Sequence, residues 1–341
     1  MKKTIQKRST MREVAVAAGV TIGTVSHVIN GTAPISKKTT KRVLKVIEEL
    51  DYEPNPMARY MRSKKSRMIG LMIPNLGNNF HSQIASTLVN KANEAGYTVL
   101  IIGYNYSLQR EMHEMQNLAQ RNVDTIVIVN GYDDEEYITK LVNQGINVIL
   151  ADRRTDLENI PYVQFDNAPV MHEAVKMLKE KGYKRIGFIS EPLKLINIDD
   201  RYKAYKAALK ECGYKFNENH VYISKRLRLD NMRNGYNYTK ELLEKHTKEE
   251  LPDVFIASSD LLAIGVLRAI QEKGYKVPGD FAIIGYDNLE VASYMQPRLT
   301  SVHQDQVLLG ETIWEMIERG VKGEEIPNIT LQQKLINRNS C

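Results

Sequence analysis

The sequence predicts a small all-α unit followed by an α/β body of two doubly wound parallel-sheet subdomains. Three observations predict it. Residues 10–54 contain three short helical segments separated by glycine stops and polar caps. From Met68 onward, β-branched runs alternate with helical segments, the pattern of parallel sheets covered on both faces. At 341 residues the chain is too long for one ordinary core.

Charge separates the two parts. Residues 1–67 hold 15 Lys/Arg against 5 Asp/Glu, while the whole chain nets only +6, so the body is mildly acidic. A basic module on such a body suits a phosphate-binding head, although a solvated basic tail would carry the same charge. MKKTIQKRST is basic but precedes no apolar stretch, so it does not read as a secretory signal. The apolar runs are too short to span a membrane, and no membrane partner is expected. Cys212 and Cys341 make no disulfide framework, which points to a reducing cytoplasm.

The head can be read element by element. Residues 11–18 are Ala-rich and helix-compatible, and Gly19 ends them as a C′ glycine. Thr21 suits an N-cap, and 21–30 reads as a second helix with Val25, Val28 and Ile29 inward. Gly31 stops it. Ser36 caps a third helix with Val43, Ile47 and Leu50 at helical spacing and Lys37, Lys38, Lys41 and Arg42 near its start. Helix, tight turn, helix and supporting helix is the helix-turn-helix plan, whose second helix enters the major groove of DNA.

Residues 11–59, MREVAVAAGVTIGTVSHVINGTAPISKKTTKRVLKVIEELDYEPNPMAR, resemble the DNA-binding domain of the lactose-repressor/galactose-repressor (LacI/GalR) family of bacterial regulators. The shared pattern is V-A-x-x-A-G-V-[ST]-x-x-T-V-S-x-V-[IL]-N-G, then S-x-x-T-x-x-x-V, then Y-x-P-N-x-x-A-R. The resemblance implies that Ile22, Gly23 and His27 read base edges. It implies that Thr10, Thr21, Thr24, Ser26, Asn30, Ser36, Thr39 and Tyr52 mostly contact phosphates, which fix register. Ile22 can offer only apolar contact, and Gly23 offers no side chain. His27 stands where the family usually has an Arg that would hold guanine bidentately, so weaker guanine discrimination is expected.

A hinge is expected at 55–67, after a basic tail at 1–9 and the head at 10–54. Asn55-Pro56 is a helix start, but a helix of barely one turn is unstable alone in water. The resemblance implies that two hinge helices order over the minor groove, with an apolar wedge from each prising a base step. Met61 stands where the family has Leu, Ala58 leaves room for close approach, and Arg59 can meet phosphate.

The body at 68–341 reads as strands at 68–74, 98–103, 125–130, 147–152 and 162–166, then 185–190, 220–224, 253–258, 281–286 and 299–304. EAGYTV at 94–99 recurs as EKGYKR at 180–185, ECGYKF at 211–216 and EKGYKV at 272–277. Each reads as a helix end, a Gly stop, a Tyr and entry toward a strand. The uneven spacing argues against a solenoid. The resemblance implies the type I periplasmic-binding-protein-like fold as a ligand sensor. It places an N-subdomain at about 68–161 and 292–322 and a C-subdomain at about 162–291 and 323–341. Crossings are then expected near 161–163, 288–295 and 320–326.

Open α/β sheets bind ligands beyond the carboxyl ends of their strands. Polar residues gather there at Asn75–Phe80, Asp152, Asp166, Ser258–Asp260, Asp287 and Gln304. Arg201 and Asp287 lead the expected ligand contacts. DRYKAYKAAL matches the family's cleft helix, and GYDN matches its ligand-binding strand end. A guanidinium and a carboxylate can fix a polyol or a sugar acid, or can form an ion pair that latches the subdomains. Asn79, Phe80, Asp152, Asn197 and Ser259 complete the expected set. Leu195 stands where the family's purine sensors carry Arg, which favours a sugar or sugar derivative.

No Walker, dinucleotide-binding or nucleophile-elbow motif occurs, and the seven His show no zinc-ligand spacing. No enzyme activity, cofactor or metal is expected. The sequence is thus read as a cytoplasmic, nucleoid-associated regulator, most simply a repressor. It would bind a double-stranded pseudo-palindromic DNA operator as a homodimer under control of a small-molecule effector. The last residue, 341, is expected to leave no room for tetramer-forming heptads. A phosphoprotein corepressor, a sugar-binding module and a sugar-metabolising enzyme stay open as alternatives.

Overall fold

The computed structural model describes residues 9–52, 65–132, 135–228 and 231–341, in two compact units that divide after Ser66. Asn55, Ala58, Arg59 and Met61 lie outside the described residues.

In the first unit, α1 (Met11–Ala18), α2 (Ile22–Asn30) and α3 (Lys37–Glu49) form the head. Thr10 opens α1 with a reciprocal capping box to Glu13, and Gly19 closes it at φ 64°. The chain turns through 103° between α1 and α2, within the range of helix-turn-helix units. Val14, Ala15, Ala18, Val25, Val43 and Val46 fill the core. Val28, Ile29, Ile47 and Leu50 pack at its edge. Tyr52, expected at a phosphate, is 6% exposed and closes that core.

The second unit holds two six-stranded sheets. The first contains β1 (Met68–Ile73), β2 (Thr98–Gly103), β3 (Thr125–Val129), β4 (Asn147–Ala151), β5 (Tyr162–Phe165) and β11 (Ile329–Leu331), in the order β11-β5-β4-β3-β1-β2. The second contains β6 (Ile186–Ser190), β7 (Val221–Ile223), β8 (Val254–Ala257), β9 (Ala282–Asp287), β10 (Thr300–His303) and β12 (Lys334–Ile336), in the order β12-β10-β9-β8-β6-β7. Both faces of each sheet are buried. The first lies between α4 (Asn79–Glu94) with α12 (Gln306–Lys322) and α5 (Leu108–Gln120) with α6 (Glu135–Asn143). The second lies between α7 (Asn167–Glu180) with α8 (Ile196–Glu211) and α9 (Asn231–Lys245) with α10 (Asp260–Glu272). The short α11 (Glu290–Tyr294) follows β9. Trp314 packs edge-on against Tyr97. No single helix among the described residues is long and apolar enough to cross a membrane.

All three expected crossings are displaced. β5 pairs with β4, so the chain leaves the first sheet after Phe165 rather than near 161–163. β10 pairs with β9, so the return comes after His303 rather than near 288–295. β11 pairs with β5 and β12 with β10, so the last crossing is at 332–333 rather than near 320–326. For the first two the cause is that a buried parallel strand has the same residue pattern whichever sheet receives it, and for the third that β11 and β12 are three residues each with no fully buried position. β12 departs from the expected parallel sheets by running antiparallel to β10. The chain leaves β11 at its carboxyl end, so the next strand starts at that end of its sheet and runs back.

The four repeated segments are Schellman-type helix ends. Gly96, Gly182, Gly213 and Gly274 have φ between 75° and 90°. The amide of each following Tyr donates five residues back, as Tyr275 does to the Ile270 carbonyl at 3.2 Å. No atom lies within 4 Å of a Cβ built on Gly274. Gly274→Ala should therefore cost only the left-handed strain, about 1 kcal/mol in urea unfolding. A loss near zero would remove the conformational argument.

Candidate DNA-reading head and effector cleft

On the head, α2 presents Thr21, Ile22, Gly23, His27 and Asn30 exposed, with Thr24 and Ser26 half-buried. Ile22 is 47% exposed, which leaves its side chain open to apolar contact. Three of the expected phosphate contacts, Thr10, Thr21 and Ser36, are N-caps. Thr21 Oγ1 accepts from the Thr24 amide at 3.1 Å, and Ser36 Oγ from the Thr39 amide at 3.2 Å. Thr10 Oγ1 accepts from Glu13 at 3.3 Å. The Thr10 proton is spent on Glu13 Oε2 at 3.0 Å, whereas the Thr21–Thr24 and Ser36–Thr39 hydroxyl pairs, bonded at 3.0 and 2.9 Å, each keep one proton for an anion beside the positive end of a helix dipole. Asn30 Nδ2 donates back to the Ser26 carbonyl at 2.8 Å. His27 Nδ1 is hydrogen-bonded to Thr32 Oγ1 at 2.9 Å, so only Nε2 remains for a base edge.

In the second unit, residues just past the strand ends enclose a cavity of about 30 Å³. The first sheet supplies Asn78, Phe80, His81, Tyr106, Asn130 and Asp152. The second supplies Glu191, Leu195, Asn197, Arg201, Ser259 and Asp287, among others. The cavity is far smaller than the ~300–1,000 Å³ of small-molecule pockets, so the cleft is closed and a ligand enters only if the sheets part. A larger groove of about 880 Å³ lies by Arg185, Tyr214, Phe216, His220 and Tyr222. None of the unpartnered buried polar side-chain atoms lies on it, whereas several line the cleft.

Arg201 organises the cleft. It is 4% exposed on α8, with its guanidinium 4.2 Å from the Tyr286 ring centre. Nη1 donates to the Ser258 carbonyl at 2.6 Å and Nη2 to Gln304 Oε1 at 2.5 Å. Asp287 lies 3.8 Å away and Asp152, from the first sheet, 3.9 Å away. Asn197 Nδ2 also reaches across to Asp152 Oδ2 at 2.9 Å. The closed form is clasped outside the cavity as well. Arg154 meets Asp200 at 3.3 Å, and the Arg228 guanidinium sits 5.7 and 5.8 Å from the Tyr106 and Tyr132 ring centres.

Burial sets the protonation of this site. It pushes Asp152 up to about 6, against the pull of Arg201, and Glu191 up to about 7. Asp287 is held well above its ordinary range for the same reason. His81 is pushed down to about 4 and stays neutral. Its Nδ1 faces the Asn75 carbonyl at 3.1 Å, so Nε2 is the acceptor.

The loop bearing Asp287 is held under strain. Asp287 and Asn288 adopt φ 105° and 53°. Asp260, fully buried at the start of α10, accepts from the Leu289 amide at 2.7 Å and from Ser301 Oγ at 2.6 Å. Ser301 Oγ in turn accepts from the Asn288 amide at 3.0 Å. Burial raises Asp260 to about 7 despite these bonds.

Of the expected ligand contacts, the structure brings Phe80, Asp152, Asn197, Arg201, Ser259 and Asp287 together on the cavity. Asn79 is not among them: it is exposed, and Asn78, the N-cap of α4, takes the inward place. Sequence reasoning missed His81, Tyr106, Asn130 and Glu191. Asn130 and Glu191 each directly follow a strand, so the carboxyl-end rule applied at every strand would have found them.

Comparison with known proteins agrees with both halves. Residues 10–55 match the bacterial regulatory proteins of the lacI family, and residues 175–341 match the periplasmic binding protein-like domain. The chain is 31% identical over 327 residues to catabolite control protein A of Priestia megaterium, covering 95% of this chain and 96% of that one. It is 31% identical over 302 residues to the ribose operon repressor of Halalkalibacterium halodurans, covering 89% and 87%. The solved lac repressor dimer bound to operator and the anti-inducer ONPF shares the fold, with a TM-score of 0.85 at 24% identity over 98% of this chain and 99% of that one. The cellobiose complex of the transcriptional regulator CelR matches with a TM-score of 0.72 at 27% identity, covering 98% and 100%. A capped helix-turn-helix head, a periplasmic-binding-protein-like body and near full-length relatives together place this chain in the LacI family of bacterial transcriptional regulators.

Proposed function

We propose that this regulator represses carbohydrate-utilisation genes by binding a pseudo-palindromic operator as a homodimer, under control of a small sugar or sugar derivative in the cleft. The observation that carries the reading is Arg201. Buried in the second subdomain, it faces Asp287 on its own side and Asp152 across the cleft. A ligand competing for these groups changes the balance between closed and open sheets, which is the differential contact a switch needs. The head contributes Ile22 and His27 as base readers and the capped hydroxyls as phosphate donors. Met61, by family resemblance, is the minor-groove wedge.

The test is capture of sheared DNA from the source genome by the purified full chain, with no sugar added. A discrete palindrome released by a sugar supports the reading. A palindrome obtained only with cell extract replaces the small effector by a protein corepressor, and no enrichment in either case removes operator binding. The head makes its own prediction. In selection from randomised DNA, His27→Arg should enrich guanine at one position of each half-site, a gain of about 1–3 kcal/mol per bidentate pair. An unchanged base profile would remove His27 from the readers.

A further inference from the structure

On the described residues lining the cavity, two of the three unsatisfied buried polar side-chain atoms are acceptors. Asn130 Oδ1 and Asn197 Oδ1 have no hydrogen-bond partner, on residues only 6% exposed. Their orientation follows from their neighbours. Asn197 Nδ2 is spent on Asp152 Oδ2, and Asn130 Nδ2 faces His81 Nε2, an acceptor, at 3.5 Å. Glu191 lines the cavity at 7% exposure and accepts no side-chain hydrogen bond among the described residues. The buried donors left over there are Arg201 Nε and Gln304 Nε2, and Gln304 does not line the cavity.

Charge points the same way. Asp152, Glu191 and Asp287 face the cavity with Arg201 as its one lining cation among the described residues, His81 being neutral. Counting Arg228, whose field also reaches Glu191, still leaves the carboxylates in excess. An acceptor-rich site whose carboxyls burial holds partly protonated is satisfied by a group that donates several hydrogens, accepts none and, being positive, lets those carboxyls ionise. Without such a partner the carboxyls shed charge by taking up protons, as the raised values of Asp152 and Glu191 record.

We infer that the effector carries a primary ammonium group, as in an amino sugar or a short diamine, seated against Glu191 and the Asn130 and Asn197 carbonyls. The inference rests on the reading of this cleft as the effector site. It disfavours sugar phosphates and sugar acids, whose charge would oppose ionisation of the three carboxyls on the cavity.

The test is binding calorimetry on the full chain with matched probes. These are glucosamine, glucose and glucose 6-phosphate; galactosamine, galactose and galacturonate; and putrescine with 1,4-butanediol. In at least one series the amine should bind about tenfold or more tightly than its hydroxyl counterpart, and the anion should bind least. Glu191→Gln should erase that preference. The sugar and diamine series separate the two sources of ammonium. A hydroxyl or anionic member that binds best, or no binding by any amine, overturns the inference. If that better binder is lost in Arg201→Ala, the cleft stands as the effector site and only the ammonium assignment falls. An amine that binds equally to wild type, Glu191→Gln and Arg201→Ala removes the cleft reading itself.

Discussion

Arg201→Ala is expected to abolish the effector response while leaving operator binding intact, and to destabilise the body by about 3–5 kcal/mol, the usual effect of removing one partner from a buried ion pair. For a unit of this size that is a fall of the melting temperature on the order of 10 °C. The mechanism gives the loss a pH signature. Burial raises Asp152 to about 6 and Glu191 to about 7, and Asp287 well above its ordinary range, while Arg201 pulls all three down. Carboxyls whose folded pKa is raised favour folding below the unfolded carboxylate range and lose that contribution as pH rises through their folded values. Without Arg201 those values rise further, so the stability deficit should widen from pH 5 to pH 8. Urea unfolding of both proteins at several pH values measures this. A deficit independent of pH would mean that Arg201 acts by packing on Tyr286 rather than by charge.

Asp260→Ala is expected to be nearly as damaging, without touching the cavity. It strands the Leu289 amide and the Ser301 hydroxyl, both now bonded to one buried carboxyl. Two such losses amount to roughly 3 kcal/mol. The functional consequence is separate. The ties at Leu289 and Ser301, with those from Gln306 to the Asp287 carbonyl and from Arg338 to Asn288, hold Asp287 and Asn288 in their left-handed backbone, and Asp260 anchors the first two. Released, they relax, and the Asp287 carboxylate no longer faces Arg201. Effector affinity should fall by more than about tenfold, and one decade is about 1.4 kcal/mol. Asp260→Asn, which keeps an acceptor for the Leu289 amide, should recover most of both losses. Equal damage from Ala and Asn would show that the negative charge, not the hydrogen-bond geometry, is what the site needs.

Much of the fold is legible because its signals are local. Thr10, Thr21 and Ser36 announce helix starts by their own side chains, and Gly19 and Gly31 announce stops by tolerating positive φ. β1 to β10 stand out by their apolar runs, and even the three-residue β7 has a buried centre at Tyr222. β11 and β12 are three residues each, with no fully buried position, so nothing in their pattern marks them. Asn79 and Asn78 differ by one residue at a helix start, a phase that is settled by the cap rather than by composition.

By itself the sequence determined the helix-turn-helix head, the strand and helix order of the body and the rule that the site lies beyond strand ends, because each is written in contacts a few residues long. Only the tertiary structure decided which sheet receives β5, β10 and β11, that Arg201 bridges the two subdomains, and that Glu191 is buried on the cavity. Those outcomes depend on groups more than a hundred residues apart desolvating one another, such as Arg201 and Gln304. Periodicity along the chain carries no record of that mutual burial.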